Sequence, residues 1–160
     1  MLGYMLTTLA ESNGLAWRVR TAGTHVAEGS AMSSRTWRAL ESIDDLGAHR
    51  YGAHRSHQLG AADVAWADVV LAVEADHVAY VRRHFPDAAD RTVSLAQFVD
   101  EAPLDGPVRR RVSVVAAREP SADFDVVDPA GGDQAVYDEC ARWLWVLAQA
   151  LSVVLAPEPG

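Results

Sequence analysis

Cysteine is nearly absent from this sequence: Cys140 is the only one in 160 residues. An intramolecular disulfide framework and a cysteine-built zinc cluster are therefore excluded. Basic residues are also scarce, with 14 Lys plus Arg against 22 Asp plus Glu and a formal net charge of −8. Such a chain does not present a broad nucleic-acid-binding or anionic-membrane surface. It can still hold phosphate locally, through a few arginines and helix N-termini. No apolar run is long enough to span a bilayer. The opening MLGYMLTTLAESNG has no basic n-region and interrupts its apolar residues with Thr, Glu and Ser. It does not read as a signal peptide, and a cytoplasmic location is the expectation. What is present is ordinary for a globular protein, 49% hydrophobic and 22% charged, in a length that suits one domain with one core.

Periodicity divides the chain into short alternating elements. Leu2, Met5, Leu6, Leu9 and Ala10 fall at helical spacing, and Gly14 is placed to end that helix. Ala16 to Arg20 alternates around Trp17 and Val19 and predicts a strand. Ser33 or Ser34 can cap a helix carrying Trp37, Leu40 and Ile43. Asp44 to Gln58 reads as a polar loop, and Ala61 to Ala67 as a short helix. Asp68 to Val73 has the apolar run of a strand buried on both faces. Ala75 to Phe85 is helical until Pro86 stops it. Arg91 to Ser94 is a weak strand signal. Val108 to Ala117 reads as a helix despite its β-rich Val112-Ser113-Val114-Val115. An acidic loop runs from Ser121 to Asp133. A last helix begins near Asp133 or Gln134, with Val136, Cys140, Trp143, Leu144, Leu147, Leu151 and Val154 on its apolar stripe. Residues 1–156 are expected to form one domain, and 157–160 a disordered tail. Strands alternating with helices argue for an α/β fold with a parallel sheet, whose ligands sit beyond the carboxyl ends of the strands.

Several pieces recur in a fixed order: Trp17 to Thr24, Met32 to Thr36, His54-Arg55-Ser56-His57-Gln58-Leu59, Asp68 to Val73 with Asp76-His77, and Asp125 to Gly132. Together they resemble the low-molecular-weight protein-tyrosine phosphatase family in its actinobacterial form, over nearly the whole chain. The resemblance implies a three-layer fold with a parallel sheet of four strands, and hydrolysis of phosphotyrosine in proteins, or of a small aryl phosphate, without metal or cofactor. The family's chemistry lies in a loop of form Cys-x5-Arg followed by Ser or Thr, just after the first strand. Its thiolate attacks phosphorus, while its N–H groups and arginine bind the phosphoryl oxygens. A distant Asp-Pro supplies the general acid.

No Cys-x5-Arg occurs here. Met1 to Leu6 matches the helix that follows that loop, so the family's first, central strand, its cysteine and its arginine have no counterpart. Six residues beyond Cys140 stands Val146, and Cys140 itself reads as a small hydrophobe on a helix stripe. By the resemblance, Asp128 occupies the general-acid position, with Ala130 where many relatives carry an aromatic ring. Thr21 and Thr24 match the position that buttresses the phosphate loop, although an ordinary strand-ending turn explains them equally well. His54, Arg55 and His57 read as a solvated loop rather than a ligand patch, and Arg109-Arg110-Arg111 as the polar face of a surface helix. The other histidines lack metal-site spacing. The expectation is an N-terminally truncated family member, through a misplaced start or a genuine loss, with the misplaced start favoured and the missing segment then encoded upstream. A central strand's worth of burial, roughly 6–12 kcal/mol for four large apolar residues, is then lost, and a poorly soluble, molten or oligomeric product is expected. The alternative is a pseudophosphatase that binds without turnover. Arsenate reduction, a third possibility, needs resolving cysteines that the chain does not have.

Overall fold

A computed structural model describes residues 1–156. The expected tail lies outside the described residues. The chain divides into two compact units, Met1–Leu59 with Val127–Gln149, and Gly60–Val126 with the residues from Ala150 onward.

The first unit opens with α1 (Leu2–Ser12), which buries Met5, Leu6, Leu9 and Ala10 as their spacing predicts. Gly14, at φ +62, ends it, and Leu15 N–H bonds back to the Ala10 carbonyl at 2.8 Å. That left-handed conformation is one glycine adopts without steric cost. α2 (Ser34–Glu41) is capped by Ser33, whose Oγ accepts from Thr36 N–H at 3.1 Å. Trp37 lies on its outer side, and its indole N–H donates to Glu41 at 2.6 Å.

The strand expected over Ala16 to Arg20 does not form. Its alternation is real, with Trp17 and Val19 half-buried between exposed Ala16, Arg18 and Arg20. However, no neighbouring strand among the described residues supplies a hydrogen-bond ladder, and without one a strand pattern stays an extended segment. The stretch from Asp44 to Gln58 is more ordered than a polar loop. Two single turns of 3-10 helix, Asp44–Leu46 and Tyr51–Ala53, bury Leu46 and Tyr51. Tyr51 packs edge-on against Tyr4 at 4.9 Å between ring centroids.

The second unit holds the sheet. β1 (Val70–Ala72) pairs in parallel with β2 (Thr92–Ser94), Leu71 opposite Val93. Between them run α4 (Ala75–His84) and a 3-10 segment, the crossover that a parallel pair requires. α3 (Ala61–Trp66) precedes β1. The prediction that β1 is buried on both faces needs correction. Only Ala72 is buried, Val70 and Leu71 being partly accessible, because among the described residues β2 alone flanks it. β2 is the fully buried strand. It runs directly into α5 (Leu95–Glu101), a helix the sequence reading missed, which buries Leu95, Ala96 and Phe98. α6 (Val108–Ala116) forms where expected, despite its β-branched run. At the carboxyl end of β1, Asp125 accepts from Ala75 N–H at 2.6 Å and Val126 N–H donates to the Val73 carbonyl at 2.9 Å.

α7 (Gln134–Val154) contributes its first sixteen residues to one unit and its last five to the other. Ala141, Leu144, Leu147, Ala148, Leu151 and Val154 are buried. Val136 and Trp143, placed on the inner stripe from sequence, are 40% and 49% exposed instead. The inner face is centred on the fully buried small residues Ala141 and Ala148. The arginine run of α6 also departs from expectation. Arg111 is 3% exposed, and it donates to the carbonyls of Gly106, Val154 and Ala156 at 2.6, 2.8 and 3.1 Å. It is an internal cap on the end of α7 rather than part of a polar surface.

Candidate functional site

The first unit gathers the residues singled out from sequence. Thr21 to Ser30 is held in place by 56–59. Gly23 N–H donates to the His57 carbonyl and Leu59 N–H to the Gly23 carbonyl, both at 2.9 Å, a parallel bridge between Gly23 and Gln58. The Gln58 side chain then ties the turn. Its Nε2 donates to the Thr24 carbonyl at 2.8 Å, and its Oε1 accepts from Val26 N–H at 3.1 Å. Glu28 accepts from Gln58 N–H at 2.6 Å and lies 3.2 Å from His57 Nδ1. Ser56 Oγ donates to the Ala27 carbonyl and accepts from Ser30 N–H. A loop this fully hydrogen-bonded is a rigid mount. Gln58 and Ser56, quoted from sequence without a role, are what make it so.

Thr24 is fixed through its carbonyl, and its hydroxyl meets His25 Nδ1 at 3.3 Å. Thr21 is exposed, and its methyl group lies over α1. A Cβ at Gly3 would lie 2.3 Å from Thr21 Cγ2, so any larger residue at position 3 forces the Thr21 side chain to shift. Of the basic residues between 54 and 57, Arg55 donates to the Gly52 and His54 carbonyls at 3.0 and 2.6 Å. His54 turns toward the Tyr4 ring. Burial, the α-amino group of Met1 and Arg55 hold its pKa below the usual histidine value.

Asp128 sits exposed on the loop before α7. Its Oδ1 accepts from Ala130 N–H at 2.9 Å, Gly132 N–H closes a turn onto the Pro129 carbonyl at 2.9 Å, and Gly131 takes φ +84. The carboxylate thus faces solvent on a self-bonded turn. No hydrogen bond among the described residues joins it to Thr21 or Thr24.

Cys140 lies half-buried on α7. Burial raises its thiol pKa, the Met1 α-amino group opposes that, and the Asp128 carboxylate adds to it. Asp128, Cys140 and the Met1 amino group are therefore electrostatic neighbours. The thiol among them is held protonated, the opposite of an activated nucleophile. Among the described residues, no group of three or more His, Cys, Asp or Glu is placed to hold a metal ion, and no helix is long and apolar enough to cross a membrane.

The parallel strand pair with its helical crossover defines an α/β protein. The chain belongs to the low molecular weight phosphotyrosine protein phosphatase family, whose sequence model matches residues 3–156. It is 31% identical over 140 residues to a protein-arginine-phosphatase from Geobacillus stearothermophilus, covering 88% of this chain and 78% of that protein. The solved arginine phosphatase of that organism superposes with a TM-score of 0.68 at 31% identity, over 94% of this chain and 82% of the other. A low molecular weight protein tyrosine phosphatase from T. tengcongensis gives 0.73 at 25% identity, over 94% and 86%.

Proposed function

We propose that this 160-residue chain is a protein-phosphatase domain that does not itself hydrolyse phosphate esters. One observation carries the reading: no cysteine in the sequence is followed six residues later by arginine, and the single thiol is kept neutral by burial. Phosphoryl transfer needs a nucleophile and groups that neutralise charge on the equatorial oxygens, and the sequence holds no Cys-x5-Arg to supply them together. Residues 1–156 are read as one phosphatase-like domain, which the family match over 3–156 supports. In it Asp128 keeps the position of the general acid, and Thr21 and Thr24 sit on the turn that would support a phosphate loop. The domain acts in the cytoplasm, where an unpaired cysteine is at home.

The ligand class that the family implies, bound here or turned over by an extended chain, is a phosphoprotein. Phosphotyrosine is the family's expectation. Phosphoarginine is the competing choice, because a 31% identical relative is a protein-arginine-phosphatase and because Ala130, exposed after the Asp-Pro pair, offers no ring face to an aryl group. A non-catalytic binding role rests on the same missing nucleophile.

Joining a strand and a Cys-x5-Arg-Ser-Pro segment ahead of Met1 separates these readings. The phosphatase reading expects the extended chain to release phosphate from a phosphotyrosine or a phosphoarginine protein. It also expects Asp128→Asn to lower that rate by about 10²–10⁴. An extended chain that folds, binds phosphoprotein and releases nothing leaves the binding role.

A further inference from the structure

We propose that the outer seam of α7 is a self-association surface, on which two copies of this chain pair their α7 helices antiparallel, Trp143 of each packing on the partner's Val146. The inference goes beyond the proposed function and uses none of the site residues described above.

α7 carries two apolar faces. Ala141, Leu144, Leu147, Ala148, Leu151 and Val154 are buried. A second set, Val136, Trp143, Val146 and Val153, is 40%, 49%, 51% and 67% exposed. Large apolar residues left singly on a surface are ordinary, but these four share one seam. Their spacing is seven, three and seven residues. With Glu139 and Ala150 they fill the first and fourth positions of successive heptads, the pattern of a helix that packs along another helix. Val136, Trp143 and Ala150 take the first position, and Glu139, Val146 and Val153 the fourth. Glu139 is exposed and Ala150 partly so. At 1.5 Å per residue the seam is about 25 Å long, and it lies wholly on one continuous helix.

The order of the residues selects the occupant. The spacing reads the same in both directions, which is what a surface needs to meet a second copy of itself across a twofold axis. Binding to an unrelated helix calls for no such symmetry. In an antiparallel pair centred between Leu144 and Trp145, every large apolar residue of the seam meets another. Val136 faces the partner's Val153, and Trp143 faces the partner's Val146. Glu139 faces the partner's Ala150, whose small side chain leaves the carboxylate room to reach water. A parallel pair instead sets Glu139 against the partner's Glu139, two like charges in one layer, which opposes that arrangement. A single helix seam covers less than the standard interface of about 1,600 Å², whose affinities run from micromolar to picomolar. The pairing is therefore weaker than about 1 µM. The net charge of −8 on each copy also resists it, so added salt tightens it.

The test is sedimentation velocity of the 160-residue chain from about 5 to 500 µM, at low and at moderate salt. The expected result is a reversible monomer–dimer equilibrium that stops at two copies and tightens at least twofold with salt. Trp143→Glu and Val146→Glu each weaken the dimer at least tenfold. Ala150→Lys strengthens it at least twofold, by setting an ammonium group against the partner's Glu139. Adding Glu139→Gln removes that gain, which separates pairing across the seam from a lower net charge. Each variant keeps the melting midpoint of the unaltered chain at low concentration, because the altered side chains are accessible in the monomer. A chain that stays monomeric up to about 500 µM, or an oligomer that grows past two copies, overturns the proposal. So does a dimer that both glutamate substitutions leave intact, and so does a weakening by Ala150→Lys, since a parallel pair brings the introduced ammonium groups together.

Discussion

Replacing Arg111 by methionine isolates an interaction that the arginine run conceals. The side chain is 3% exposed and no carboxylate pairs with it among the described residues. Its counter-charge is the carboxyl end of α7, reached through Val154 and Ala156, with Gly106 as a third acceptor. Hydrogen bonds to a charged group are worth about 1.5–3 kcal/mol each, and a cation at a helix C-terminus adds up to about 2 kcal/mol. Against them stands the desolvation of a buried guanidinium, several kcal/mol. Methionine recovers apolar packing but leaves three carbonyls without their donor. The net loss works out at about 2–3 kcal/mol for unmatched buried acceptors that water reaches only in part. In urea, with a slope near 2 kcal/mol/M for a chain of this size, the midpoint falls by about 1–1.5 M. Arg110→Met is the control. Its ion pair with Asp105 is exposed, side chains 58% and 81% accessible, so its loss costs at most about 0.5 kcal/mol. Equal effects of the two substitutions, or a stabilisation by Arg111→Met, would refute the internal-cap reasoning.

Two further outcomes follow from packing. Gly3→Ala should destabilise by up to about 2 kcal/mol, overpacking costing about 1–3 kcal/mol and helix propensity within α1 returning about 1 kcal/mol. Adding Thr21→Ser, which deletes the methyl group 2.3 Å from the new Cβ, should restore most of that loss in a double-mutant cycle of thermal melts. Tyr51→Phe should leave stability at pH 7 unchanged or raised by about 1 kcal/mol, because the buried hydroxyl has no hydrogen-bond partner. Burial, Glu41 and Tyr4 hold the Tyr51 pKa above its ordinary value of 10.0. The folded state therefore resists ionising this hydroxyl, so stability is unaffected by it below pH 10 and falls as pH rises beyond, and Tyr51→Phe should flatten that alkaline limb in a melting-temperature series.

Elements with strong local signals were legible in the sequence. α1 and α2 carried helical spacing and end signals, Gly14 and Ser33. The last helix began where Asp133 and Gln134 suggested. β1 was found by its apolar run, but its burial was not, because a run of valines does not reveal how many strands flank it. α5 was missed because it follows β2 with no intervening turn and no capping side chain. Trp17 to Arg20 shows the converse failure, since alternation marks a strand only where a partner exists. For Arg111 a signal was present: Arg111, Val112, Val115 and Ala116 share one helical face, and reading the three arginines as a charge run concealed it. At the candidate site, the sequence located the Asp128 turn and the Thr21–Thr24 segment. It did not show that Gln58, thirty-four residues from Thr24, locks the latter, because a long-range side-chain bond leaves no periodic trace.

Phosphate release from phenyl phosphate by the purified 160-residue chain tests the central claim most directly. With no Cys-x5-Arg in the sequence and the Cys140 thiol held neutral, the account predicts no turnover above buffer between pH 5 and 8. Turnover that survives Cys140→Ala and disappears in Asp128→Asn would contradict it, because Asp128 would then be activating water without a covalent intermediate.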